Sequence, residues 1–231
     1  MSFDVKITTK NSFLDLFMPY TCRGCGRLGE ILCECCKKYN TRAEVIDGWI
    51  YTVGKREGVL MKVTEEYKYK SIRKTAEVLA GMLNEVLPEI KGEVAIVPLP
   101  TIRKHIRERG FDHTLLLAKK LAKIRKCDYD SLLVRVNKAV QVGSDRETRL
   151  KQAKTAYKAV SEAKMDVTYV LLDDVTTTGA SLKAAKKVLE GAGAKKIYGV
   201  AVCSGLLGGG SITRDSVDDE VDDSVSEERD N

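Results

Sequence analysis

The segment Tyr169 to Ser181, YVLLDDVTTTGAS, is the densest run of residues able to do chemistry. Tyr169-Val170-Leu171-Leu172 reads as a buried strand, with the acids Asp173 and Asp174 at its end. Val175, Thr176, Thr177, Thr178, Gly179, Ala180 and Ser181 then lead into a helix. Adjacent backbone amides in a tight Thr/Gly turn, followed by a helix N-terminus, form a concave donor array suited to a phosphate monoester. The hydroxyls of Thr176, Thr177, Thr178 and Ser181 add donors, and Gly179 lets the backbone approach the ligand. The two carboxylates are placed to accept hydrogen bonds from the two hydroxyls of a ribose; beside a phosphate alone they would repel. A strand end with a helix cap would explain one such residue. Two acids, three threonines and a glycine in a row point to a ligand in a strand-turn-helix context.

A second candidate follows VAIV, where Pro98-Leu99-Pro100 runs into TIRKHIRERGFDH. Arg103, Lys104, Arg107 and Arg109 follow a strand end within ten positions, and cations there would neutralise a pyrophosphate. A solvated basic helix face is the alternative. Asp112 has the chemistry of an N-cap, so His113 is expected in the first helical turn, facing solvent rather than acting as a base.

The third candidate is a metal site. Cys22-x2-Cys25-x7-Cys33-x2-Cys36 gives two knuckles, each placing two thiolates on one tetrahedral ion, and four sulfurs fit zinc. An iron-sulfur cluster is the alternative, and Cys35 competes with Cys36 as the fourth ligand. Gly24 and Gly26 suit the tight turn of a knuckle. Seven cysteines are an odd count, and five of them fall between Cys22 and Cys36, which argues against paired disulfides. Cys127 and Cys203 read as buried apolar fillers. Trp49, Tyr51, Tyr67, Tyr69 and Phe111 are either core or platforms on which single-stranded bases could stack.

The elements that position these residues can be read from pattern. VIDGWIYTV (45–53) reads as a strand. A long helical stretch follows, with Ile72, Ala76, Leu79, Ala80 and Leu83 at helical spacing, Ser71 as cap and Pro88 beyond its end, and it should pack on a sheet. From Glu93 to Ser204 short apolar runs (VAIV, SLLVRV, YVLL, KIYGVAVCS) alternate with amphipathic helices. That alternation predicts an α/β fold, a mainly parallel sheet flanked by helices, with ligands at the carboxyl ends of its strands. The longest apolar runs fall far short of the ~20 residues of a membrane span, and the N-terminus does not read as a secretory signal, so a cytoplasmic location is expected. The tail from Arg214 to Asn231 has nine acids against two arginines, a local charge of −7, which leaves +13 on the rest of a chain of net charge +6. So basic a body favours a polyanionic partner, nucleic acid or a phosphorylated substrate. The glycine, serine and acid of the tail favour disorder.

The Tyr169–Ser181 segment resembles the signature loop of type I phosphoribosyltransferases, in which a pair of acids, a short spacer, threonines and a glycine bind ribose 5-phosphate. The resemblance implies that Asp173 and Asp174 take the ribose hydroxyls, as the catalytic acids, and that Val175 to Ser181 take the 5-phosphate. It also implies Mg²⁺ on the pyrophosphate. VPLP, Arg103 and Arg107-Glu108-Arg109-Gly110-Phe111 resemble, more narrowly, the ComF family of competence-associated proteins. Phe13 to Cys25 (FLDLFMPYTCRGC), Lys68-Tyr69, and the spacing of Gln141, Arg149 and Tyr157 are similar to that family too. Asp112 and His113 depart from its usual amide-bearing pair. So does Gln152, where Asn is usual, and the threonine before Gln141 is missing. The resemblance spans about residues 13–204. It implies a zinc module at 13–42, a phosphoribosyltransferase-like domain at 43–206 and a disordered acidic tail at 207–231. It further implies a role with single-stranded DNA in natural transformation, beside a DNA-uptake helicase or recombination proteins. A nucleotide-salvage or other phosphoribosyl-transfer enzyme is the alternative, and a binding module that keeps the loop as a phosphate sensor is a second.

Overall fold

The computed structural model describes residues 20–70, 73–136 and 156–205. Its centre is a six-stranded sheet made of β1 (Glu44–Ile46), β2 (Ile50–Lys55), β3 (Val94–Pro98), β4 (Asp128–Tyr129), β7 (Thr168–Thr176) and β8 (Lys196–Ser204), in the order β1-β2-β8-β7-β3-β4. Only the β1–β2 pair is antiparallel. The other four pairings are parallel, so their connections cross over through helices. The predicted α/β architecture is therefore the observed one.

Alternation along β7 divides the core. Val170 and Leu172 face one layer with Val200 and Val202 of β8, covered by α2 (Gly58–Lys70), α3 (Arg73–Val86) and α5 (His113–Arg125). Tyr169 and Leu171 face the other, with Ala95, Val97 and Ile50, covered by α6 (Ala180–Gly191). The helices form where apolar residues recur at helical spacing: Ala76, Leu79, Ala80 and Leu83 of α3 are all fully buried, as are Leu182, Ala185 and Leu189 of α6. Asp112 caps α5, its Oδ1 accepting from the Leu115 amide at 3.1 Å. A separate antiparallel ribbon, β5 (Leu133–Arg135) with β6 (Tyr157–Ala159), lies on the α6 face.

Two sequence expectations need correction. The stretch 45–53 is a hairpin rather than one strand. Asp47 and Gly48 turn at φ 52° and 73°, and the pairing runs from Ile46–Ile50 to Glu44–Thr52. An Asp-Gly turn signal outweighed the β-branched run around it. The helix expected behind Ser71 and ending before Pro88 is α3, preceded by a further helix, α2, and Ser71 and Ile72 themselves lie outside the described residues. SLLVRV contributes to the ribbon, not to the parallel sheet. The lead at 13–19, Gln141, Arg149, Gln152 and the tail at 207–231 also lie outside the described residues.

The cysteine segment, which ends in the short helix α1 (Glu34–Asn40), packs on the α2–α3 side, where Cys22, Ile31, Leu32 and Cys33 join the buried core. It is tied to the sheet domain by a two-pronged ion pair between the Arg23 guanidinium and the Glu66 carboxylate of α2, and by Lys37 Nζ, 2.5 Å from Glu85 Oε1 of α3. No helix among the described residues is long and apolar enough to cross a membrane.

Candidate functional site

β7 continues past its apolar half, so Asp173 and Asp174 lie within the strand near its carboxyl end rather than after it. Adjacent strand positions point to opposite faces. Asp174 turns toward the α2–α5 layer and is only 7% exposed. There Lys68 Nζ of α2 approaches its Oδ2 at 2.6 Å and His113 Nε2 of α5 approaches the same oxygen at 3.3 Å. Its Oδ1 accepts from the Val175 amide at 2.9 Å. Asp173 turns toward the α6 side, with its Oδ1 accepting from the Asp174 amide at 2.9 Å. Among the described residues no cation lies within ion-pair distance of Asp173.

These environments separate the two carboxyls. Burial, reinforced by the charge of Asp174, pushes Asp173 well above the usual carboxylate range. Burial alone would raise Asp174 too, but hydrogen bonding from His113 and the Lys68 ammonium outweigh it and hold the carboxyl well below that range. Below this pair Tyr67 is fully buried, and its hydroxyl donates to the His113 carbonyl at 2.5 Å. Burial, then the charges of Asp174 and Asp112, push the Tyr67 phenol up, so it remains a donor.

A cavity of about 290 Å³ opens at the carboxyl ends of β3 and β7. It gathers Asp173, Asp174, Lys68, His113 and Ser181 together with Arg109 of α4 (Arg103–Arg109), Arg135 and Tyr157. Arg109 stacks over the Tyr69 ring at 5.6 Å and Arg135 over that of Tyr157 at 6.0 Å. Of the four basic residues singled out on the second loop, Arg109 lines the cavity. Arg103, Lys104 and Arg107 lie on the exposed surface of α4.

The Thr/Gly turn borders the same cavity through Ser181. Thr176 ends β7 and is buried, Val175 is half-buried, and Thr177, Thr178, Ala180 and Ser181 are exposed. Gly179 occupies the N-cap of α6 at φ 72°, and a Cβ there would fall 2.9 Å from Ile50 Cδ1. The left-handed backbone favours glycine there. The first backbone hydrogen bond into α6 runs from the Lys183 amide to the Gly179 carbonyl at 2.8 Å, so the amides before it lie outside the helical ladder.

His113 corrects a sequence expectation. It opens α5 behind its aspartate cap, as foreseen, but it is 5% exposed and bonded to Asp174 instead of facing solvent. Its burial comes from α2, which lays Tyr67 and Lys68 against it; the periodicity of α5 alone carries no trace of that contact. Tyr67 likewise belongs to the core. Arg135 was missed altogether, and its basic charge beside an apolar strand was the only signal available.

The four predicted metal ligands converge. The sulfurs of Cys22, Cys25, Cys33 and Cys36 all lie within 4.8 Å of one another. Cys22–Cys33 and Cys25–Cys33 are separated by 3.6 and 3.7 Å. Four thiolates about 2.3 Å from one tetrahedral ion would stand about 3.8 Å apart, so the set fits zinc. Burial would push the Cys22 thiol up, but hydrogen bonds from the amides of Cys33, Cys25 and Gly24 bring it down to about 6. Cys35 is exposed and outside the cluster, and Cys36 supplies the fourth sulfur of the set. Gly24 is needed here, because a Cβ would fall 2.5 Å from Cys36 Sγ.

No protein-family profile matches the chain. No curated protein matches it either. Among solved structures, the chain is similar to the glutamine phosphoribosylpyrophosphate amidotransferase of B. subtilis in complex with ADP and GMP, at 17% identity over 60% of this chain, with a TM-score of 0.42. The chain spans about 30% of that enzyme's length. It is also similar to the adenine phosphoribosyltransferase of Leishmania tarentolae, at 11% identity over 71% of this chain and 94% of that one, with a TM-score of 0.41. A third likeness is the adenine phosphoribosyltransferase of Trypanosoma brucei in complex with AMP, pyrophosphate and ribose 5-phosphate, at 10% identity over 71% of this chain and 87% of that one, with a TM-score of 0.39.

Proposed function

We propose that the protein binds phosphoribosyl pyrophosphate, or a close phosphoribosyl relative, in the cavity at the carboxyl ends of β3 and β7. One observation carries the reading: a single cavity joins the acid pair Asp173–Asp174, the glycine-capped start of α6 and the cations Lys68, Arg109 and Arg135. Acids for vicinal hydroxyls, amides for a monoester and guanidinium groups for a diphosphate are the donors and acceptors that such a ligand needs. The ribose hydroxyls donate to Asp173, the carboxylate not held by a cation, and to the remaining lone pairs of Asp174. The amides and hydroxyls from Val175 to Ser181 hold the 5-phosphate, and Arg109 meets the pyrophosphate. A Mg²⁺ ion arriving with the diphosphate would neutralise its charge and take oxygen ligands, and Asp173 is the carboxylate open to it.

The cysteine cluster at 13–42 is a structural zinc module that holds its segment against α2, and 43–206 is the ligand-binding domain followed by the acidic tail. The ComF resemblance extends the proposal to single-stranded DNA handling in natural transformation, in the cytoplasm. The charge of +13 ahead of Arg214 supports that extension.

Calorimetric titration with phosphoribosyl pyrophosphate and Mg²⁺ tests the reading. Binding is expected, and replacing both Asp173 and Asp174 with Asn should weaken it tenfold or more, because charge-assisted hydrogen bonds contribute about 1.5–3 kcal/mol each. Failure of the unmutated protein to bind either phosphoribosyl pyrophosphate or ribose 5-phosphate at millimolar concentration would overturn it.

A further inference from the structure

We propose that Lys183 is a positioning residue for the 5-phosphate: anchored on Asp47 of the β1–β2 hairpin, its ammonium holds the Thr178 carbonyl and thereby aims the Gly179 amide at the phosphate. The proposal rests on the phosphoribosyl reading of the cavity.

Lys183 Nζ donates to the Thr178 carbonyl at 3.1 Å and lies 2.6 Å from Asp47 Oδ2. One ammonium thus joins the hairpin turn to the phosphate turn. Helix geometry sends it there, because side chains lean toward a helix N-terminus and Lys183 is the fourth residue of α6. Its stem passes over Gly179, where an added Cβ would fall 3.5 Å from Lys183 Cε. A lysine this near the start of a helix opposes the macrodipole, and α6 has no acid in its first turn to offset it. Asp47 supplies the counter-charge from another element.

What the lysine fixes is the direction of one peptide. The Thr178–Gly179 bond is trans, so a carbonyl turned to Lys183 sends the Gly179 N–H the opposite way, away from the lysine. The amides of Thr177, Thr178 and Gly179 have no hydrogen-bond acceptor among the described residues. Three successive unpaired amides form the kind of donor array that a phosphate monoester takes.

The anchor is itself fastened. Asp47 sits in the hairpin turn at φ 52°, and two positions on the Trp49 carbonyl accepts from the Gly199 amide of β8 at 2.9 Å. Lys186, one turn after Lys183, places its Nζ 4.4 Å over the Trp49 ring. The hairpin therefore grips α6 at two lysines and the sheet at β8. The side chains of Lys183 and Asp47 keep 46% and 48% exposure, so the pair adds little to stability and its variants should fold.

Calorimetry with ribose 5-phosphate on Lys183→Met, Lys183→Arg, Asp47→Asn and the Lys183→Met, Asp47→Asn double variant tests the proposal. Lys183→Met should weaken binding about fivefold, the scale of one hydrogen bond, whereas Lys183→Arg keeps a donor and a charge and should stay within about twofold. Asp47→Asn should also weaken it, by about threefold, although it removes a negative charge near a phosphate site. A lysine that met the phosphate directly would give the opposite sign, because loss of Asp47 would release its ammonium to the ligand. The double variant should lose no more than Lys183→Met alone, since both changes act through one contact. Carbon-13 spectra of the ligand-free protein give an independent reading: the Thr178 carbonyl resonance should move in Lys183→Met and keep its place in Lys183→Arg.

Tighter binding in Asp47→Asn, additive losses in the double variant, or a Thr178 carbonyl resonance that ignores Lys183→Met would each overturn the proposal. If ribose 5-phosphate fails to bind the unmutated protein, the functional reading falls and takes the phosphate role with it, while the carbonyl resonance still decides whether Lys183 braces the turn.

Discussion

Replacing the two adjacent acids one at a time should move stability in opposite directions. In Asp173→Asn, the amide oxygen still accepts from the Asp174 amide, which now bonds at 2.9 Å. What disappears is a half-buried carboxyl with no cation at ion-pair distance among the described residues and a like charge beside it. Removing such a functional liability typically gains about 0.5–2 kcal/mol. In Asp174→Asn, the oxygen that accepts from Val175 also survives, but an amide NH2 replaces the oxygen facing Lys68 at 2.6 Å and His113 at 3.3 Å. Donors then meet donors. At an effective dielectric of about 20, two charges 2.6 Å apart attract by about 6 kcal/mol. Desolvation offsets part of this, and breaking a buried pair costs about 3–5 kcal/mol. The side chains of Lys68 and Asp174 keep 16% and 10% exposure, which places the loss at the low end, about 3 kcal/mol.

In a chain of this size each kcal/mol moves the melting temperature by about 2–4 °C, so Asp174→Asn should melt about 6–12 °C lower and Asp173→Asn a few degrees higher. The pH dependence has opposite signs as well. Asp174 is depressed on folding, so its contribution is present above the unfolded value near 3.9 and lost as pH falls through the folded one. Asp173 is raised, so its contribution is complete below about 3.9 and lost as pH rises through the folded value. The advantage of Asp173→Asn should therefore grow from acid toward neutral pH, and the deficit of Asp174→Asn should shrink toward acid. Urea denaturation across that range measures both. Shifts of the same sign at neutral pH, or gaps that ignore pH, would refute the separation of the two carboxyls.

Purified protein is expected to contain about one zinc per chain; by metal analysis, Cys33→Ser should lose it with a destabilised N-terminal segment, whereas Cys35→Ser should keep it. Binding of single-stranded DNA should weaken steeply with added salt, and removing residues 214–231, with their charge of −7, should leave the affinity equal or stronger. Salt-independent binding in a filter or anisotropy assay, or binding lost with the tail, would count against the electrostatic account.

What was legible in the sequence was what is local along it. The turn from Val175 to Ser181 and the four metal cysteines are each written within about fifteen consecutive positions, so spacing alone placed them, and the alternation of apolar runs with amphipathic helices gave the parallel sheet. The contacts that make the cavity particular are not local. Tyr67 reaches His113 across 46 positions and Arg23 reaches Glu66 across 43. No periodicity encodes such a meeting, because each helix satisfies its own apolar stripe whichever neighbour it packs against. The hairpin at Asp47-Gly48 was a different case: its turn chemistry was in plain view, but strand-forming residues on both sides outweighed it in the reading.

The acid pair joins the two kinds of information. Neighbours in sequence invite a common role, and Asp173 and Asp174 were given one. A strand, however, sends consecutive side chains to opposite faces, and here the faces differ in chemistry: one meets Lys68, His113 and the Tyr67 layer, the other Tyr157 and the start of α6. The same β geometry that lets two carboxylates reach one cavity also makes them unequal, one a fixed charge held by cations and the other a group whose charge is costly until a ligand arrives. A ribose that donates to Asp173, or a Mg²⁺ ion beside it, relieves that cost. Ligand binding and the ionisation of Asp173 should then be linked, each favouring the other, and the asymmetry follows from the alternation of the strand.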